Sequence, residues 1–179
     1  ISSVWMSVVG VISQGLFFVV FAILARFLDK AEFGLVAYAA VFSSFFGLFL
    51  RLGYGDALVQ MQKPTDSHIS VAFWTSAGAG TLLGLTCALA AYPIGSFLAK
   101  PEIVPVIQLL SISCVLIGLR TIPMALLTRA LRFGVLGTAS LVANLIGGAV
   151  GVGMAVQGWG VWALVGQRLT VELVSLLVI

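Results

Sequence analysis

Residues 23–60 read ILARFLDKAEFGLVAYAAVFSSFFGLFLRLGYGDALVQ. The stretch starts inside one apolar run, crosses a charged turn from Arg26 to Glu32, and enters a second apolar run that ends at Arg51. Glycines then break an exit that carries polar residues. A helical hairpin with two bilayer-length arms accounts for this pattern, because a span needs about 20 consecutive apolar residues.

The whole chain has the same character. Of its 179 residues, 61% are hydrophobic and 8% are charged, with a mean hydropathy of +1.19. Soluble domains carry roughly 25% charged residues, so this surface must face lipid. The expected fold class is all-α, a polytopic membrane protein. A net charge of +3, scattered along the chain, gives no footprint for nucleic acid and marks topology instead. Cys87 and Cys114 lie in apolar runs without CxxC spacing and read as packing residues. His68 has no second metal-type ligand nearby, so neither a metal nor a cofactor is expected.

Six membrane helices are expected, at about 4–27, 33–52, 69–92, 103–128, 133–156 and 159–179. Gly53 and Gly55 loosen the end of the second, Lys63-Pro64 closes the loop after it, and Tyr92-Pro93 ends the third. In the third, Ser76, Gly80, Gly84 and Ala88 recur every four residues; in the fifth, Ala139, Ala143, Gly147, Gly151 and Ala155 do so. Residues four apart share a helix face, so each ladder is a smooth strip on which a neighbouring backbone can lie. Trp159 and Trp162 suit an interfacial belt. Since the pattern starts at Ile1 and stops at Ile179 in mid-run, residues 1–179 are expected to be a fragment of a longer protein.

Lys63, Arg129 and Arg132, with Arg51 and Arg120 near helix ends, fall on one side; Arg26, Lys30 and Lys100 fall on the other. This modest excess puts the N-terminus in the cytoplasm. Arg120 lies roughly 13 Å deeper than Arg129 along a helix. It either faces a polar cavity or snorkels towards headgroups. Arg168 and Glu172, four apart, form either an internal ion pair or a polar patch in which Glu172 is an ion site. Arg51 is interfacial or sits at the mouth of a cavity. Gln14 and Asn144 are interhelical hydrogen-bonding residues or cavity liners. The cluster Arg26, Asp29, Lys30 and Glu32 reads as a solvated turn. No catalytic motif is present, so an enzyme is not expected.

The opening stretch, followed by PEIVPVIQLLSIS (101–113), PMALLTRALRF (123–133) and GWGVWALVGQRLT (158–170), resembles the polysaccharide-transporter branch of the multidrug/oligosaccharidyl-lipid/polysaccharide flippase superfamily. That resemblance implies two lobes of six helices, of which this chain is the N-terminal one, in a bacterial inner membrane with a cytoplasmic N-terminus. It implies export of a lipid-linked oligosaccharide on a polyprenyl diphosphate through a cavity that opens alternately to each side. Arg51, Arg120 and Arg168 are then candidate contacts to the anionic headgroup, and Glu172 a candidate for ion coupling. Besides substrate and membrane lipids, other membrane proteins of polysaccharide assembly are candidate partners. Two other readings are an organic-cation antiporter of the same superfamily, which needs cavity carboxylates, and a polymerase, ligase or scaffold of a polysaccharide pathway. A polymerase or ligase needs a large extracytoplasmic loop, and none is expected here.

Overall fold

The structure, a computed structural model, describes the backbone of residues 2–51 and 65–179. The side chains of 2–9, 17, 42–44, 46, 47 and 49–51 fall outside that description. The expectations for Gly53, Gly55 and Lys63-Pro64 therefore lie outside the described residues, as does the side chain of Arg51. All regular structure among the described residues is helical: α1 (Ser2–Phe27), α2 (Lys30–Arg51), α3 (Asp66–Phe97), α4 (Ile103–Arg129), α5 (Phe133–Val156) and α6 (Val161–Val178). Among the described residues, α1 and α3 to α6 each contain a stretch long and apolar enough to cross a membrane.

The third helix differs from expectation at both ends. It starts at Asp66 because Thr65 and His68 cap it: the Thr65 backbone N–H donates to His68 Nδ1 at 3.3 Å, and the Thr65 hydroxyl lies 2.8 Å from the same nitrogen. Pro93 does not end it; the helix runs through to Phe97. Proline forfeits its own N–H, yet the chain on either side stays helical and Ser96 Oγ–H donates to the Pro93 carbonyl at 2.9 Å. Termination occurs at Ala99, which takes a left-handed φ of 51°. Its N–H donates to Ser96 O at 3.2 Å and the Lys100 N–H to Gly95 O at 3.0 Å, a Schellman stop usually built on glycine. That conformation costs an L-residue about 1–2 kcal/mol. Ala99→Gly is accordingly expected to stabilise the protein by about 1 kcal/mol, raising the thermal unfolding midpoint by roughly 2–4 °C in detergent.

The chain divides into two compact units, one of residues 39–131 and one of residues 1–38 with 132–179. In the first, α3 packs on α4 along glycine. A β-carbon at Gly80 would lie 2.8 Å from Cys114 O and 3.0 Å from Gly118 Cα, so the two backbones touch. Ser76 Oγ–H donates across the crossing to Gly118 O at 2.8 Å and is fully buried. The expected strip holds through Ser76, Gly80 and Gly84, then passes to Cys87, Ala91 and Gly95 while Ala88 is only half-buried. Four residues advance a helix by about 400°, so a strict four-residue ladder drifts about 40° per step and leaves its neighbour. Cys87 and Cys114 are both buried, in keeping with packing.

In the second unit, α5 packs against both α1 and α6. Two neighbours explain why its ladder, Ala139 through Ala155, stays buried throughout: Gly147 and Gly151 face α6, Gly148 faces Val20 of α1, and Ala155 joins Val20, Leu24, Leu28 and Ala163 in an apolar cluster. The turn from α5 to α6 needs Gly158 (φ 77°) and Gly160 (φ 53°). Glu32 Oε1 occupies the space a side chain at Gly160 would take, while its Oε2 accepts the Asp29 N–H at 3.0 Å and caps α2. The charged turn is thus more than solvated: Glu32 ties it to the α5–α6 turn.

Candidate functional site

A pocket of about 240 Å³ lies among α1, α5 and α6, lined by Phe21, Asn144, Leu164, Gln167, Arg168 and Val171. Its shape follows from α5. At Gly151 a β-carbon would sit 2.8 Å from Gln167 Cβ, and at Gly147 it would collide with Val171 Cγ2. Because both positions lack side chains, α6 lies against α5 with Gln167 and Val171 in the seam. Arg168 follows one residue later, about 100° around the helix, and is exposed. It stands seven residues into α6, about 10 Å along the axis.

Asn144 is half-buried and its Nδ2–H donates to Ser140 Oγ at 3.4 Å, a long bond that leaves much of the amide's capacity for other partners. Phe21 stands edge-on to Phe33, with ring centroids 5.2 Å apart, and Leu164 and Val171 complete an apolar wall. The chemistry assembled here is one guanidinium with five N–H donors, two amides that donate and accept, and an aromatic ring. None of the six lining residues is a carboxylate. Such a set suits an anion such as a phosphate, held bidentately by the arginine, with hydroxyls beside it.

Of the residues singled out from sequence, Arg168 and Asn144 are brought together. Gln167 and Phe21 join them without having been anticipated as liners. Gln167 carried a signal, since it lies midway between Ala163 and Val171 on the face that meets the α5 glycines. Glu172 does not line the pocket: it is only 6% exposed, with Oε2 sealed from solvent, whereas Arg168 is exposed. Gln14 is exposed on α1, outside the lining. Arg120 belongs to the other unit, half-buried on α4. Among the described residues no group of three His, Cys, Asp or Glu side chains is placed to hold a metal, and His68 serves the cap of α3.

Comparison with known proteins bears on what such a chain is part of. A family described as "Polysaccharide biosynthesis protein" matches residues 23–179. The chain belongs to this family. Within the polysaccharide biosynthesis proteins, it is 29% identical over 162 residues to the succinoglycan biosynthesis transport protein ExoT of Rhizobium meliloti (strain 1021), covering 90% of this chain and 33% of that protein. It is 27% identical over 143 residues to the lipopolysaccharide biosynthesis protein WzxC of Escherichia coli (strain K12), covering 80% of this chain and 29% of that one. It therefore spans about a third of the length of these relatives. No solved structure matches it.

Proposed function

We propose that these residues form the N-terminal six-helix lobe of an inner-membrane transporter. It moves a lipid-linked oligosaccharide, carried on a polyprenyl diphosphate, from the cytoplasmic to the outer leaflet by alternating access. The observation that carries this reading is the pocket in which Arg168 stands with Asn144 and Gln167, on a helix long and apolar enough to cross a membrane. The family match and a relative named as a transport protein in succinoglycan biosynthesis support it. As α2 has 22 residues, its length of about 33 Å suffices for a sixth span.

In this mechanism Arg168 attracts the diphosphate, which cannot cross hydrocarbon unaided, while the amides take sugar hydroxyls. Arg120 and Arg51 are assigned to the same anion at other stages of its passage, and Gln14 to the hydrated surface. Glu172, enclosed within its unit, is assigned to ion coupling, because an intramembrane carboxylate is costly and marks an ion pathway. The pocket's lack of acid favours an anionic cargo over an organic cation, and the transport reading over an enzymatic one.

The test is complementation. The full-length protein, expressed in a bacterium deleted for its own lipid-linked-saccharide flippase, is expected to restore surface polysaccharide. Membrane insertion at normal levels without restored polysaccharide would reject this reading.

A further inference from the structure

A second cavity, a groove of about 380 Å³, opens between the start of α3 and the end of α4. Its origin lies in the packing of that hairpin. From Ser76 onward the two helices touch through Gly80, Gly84 and Gly95. Before Ser76 the small residues give way to Ile69 and Phe73, facing Ile122, Ala125 and Leu126. Bulk replaces glycine there, and Pro123 lines the groove beside Ile122 and Leu126. The apolar walls run about 6 Å along α3, from Ile69 to Phe73, and the polar liners, Asp66 and Ser70, are both exposed. Arg129 stands one turn beyond Leu126 and seven residues from Ile122, on the side of α4 that continues the groove.

In a hairpin that spans a membrane, the ends of α3 and α4 reach the boundary between headgroups and acyl chains. An apolar cleft there is filled by a lipid tail, since an empty one forfeits dispersion contacts along its whole lining. The charges at its mouth then select the headgroup. A carboxylate and a hydroxyl accept hydrogen bonds, which an ethanolamine ammonium donates and a choline cannot; Arg129 carries the charge that complements a phosphate.

We propose that this groove seats one acyl chain of an ethanolamine phospholipid, with its ammonium on Asp66 and Ser70 and its phosphate towards Arg129. The site is separate from the Arg168 pocket and does not depend on what the protein transports.

Native mass spectrometry of the purified full-length protein, titrated with dioleoyl phosphatidylethanolamine, phosphatidylcholine and phosphatidylglycerol, tests it. Phosphatidylethanolamine is expected to bind at least five-fold more tightly than either of the others. Asp66→Asn should erase that advantage and Asp66→Glu keep it, whereas Ser70→Phe, which fills the groove from an exposed position, should weaken all three lipids. Equal binding of the three, tightest binding of phosphatidylglycerol, or a preference that survives Asp66→Asn would each overturn the assignment.

Discussion

Replacing Gly118 with leucine is expected to part α3 from α4 and destabilise their hairpin by about 3 kcal/mol. Its first added carbon alone would lie 2.7 Å from Ser76 O and 3.0 Å from Gly80 Cα, both backbone atoms that no rotamer change can move. Overpacking of this kind costs about 1–3 kcal/mol. The separation also breaks the buried Ser76–Gly118 hydrogen bond, which in a membrane contributes roughly 0.6–1.7 kcal/mol. Gly78 is the internal control. It lies on α3, the partner helix of the same hairpin, is exposed, and a β-carbon there meets nothing within 4 Å, so Gly78→Leu should leave stability unchanged or slightly improved. Unfolding in mixed detergent and SDS would compare the two; equal tolerance would contradict the crossing described above.

Removing the Arg168 guanidinium is expected to reduce export of an anionic lipid-linked cargo by roughly 10- to 150-fold. That range corresponds to losing charge-assisted hydrogen bonds of about 1.5–3 kcal/mol. Because Arg168 is exposed within its unit, Arg168→Ala should leave folding and insertion intact, which immunoblotting of membranes checks. Lysine at this position keeps the charge but loses the planar fork, so Arg168→Lys should fall between wild type and alanine. Surface polysaccharide in the complemented flippase-deficient strain is the readout. Normal export by Arg168→Ala would remove this residue from the mechanism.

What could be read without coordinates followed from one-dimensional physics. Apolar run length gave away five candidate spans, and the α5 ladder lay where spacing put it, because a helix held between two neighbours buries a wide arc. The α3 ladder was legible only in part: spacing shows which residues are small, but helical drift decides when Ala88 hands over to Cys87. Pro93 looked like a terminator because proline ends most helices, whereas the stop at Ala99 shows no glycine to the eye.

The site divides similarly. Arg168 and Asn144 stood out as polar residues in apolar runs. That they meet, and that Gln167 and Phe21 meet them, depends on Gly147, Gly148 and Gly151 drawing α6 and α1 onto α5, a long-range event with no local signature. Glu32 looked like a surface charge for the same reason, since its partner surface at Gly160 lies far along the chain.

The discontinuity of the α1–α5–α6 unit has a consequence for how the protein is made. The α3–α4 hairpin is local and can close as soon as α4 enters the bilayer. By contrast, Val20 and Leu24 of α1 must wait for α5, with all of α2, α3 and α4 synthesised in between. At about 5–20 residues per second the delay is roughly 6–25 s. Lipid is a harmless placeholder for those aliphatic side chains. A polar residue introduced on that face of α1 would instead spend the interval in hydrocarbon without its partner, open to quality-control proteolysis. Biogenesis therefore constrains the α5-facing side of α1 to apolar residues, even at positions where the finished fold would satisfy a hydrogen bond.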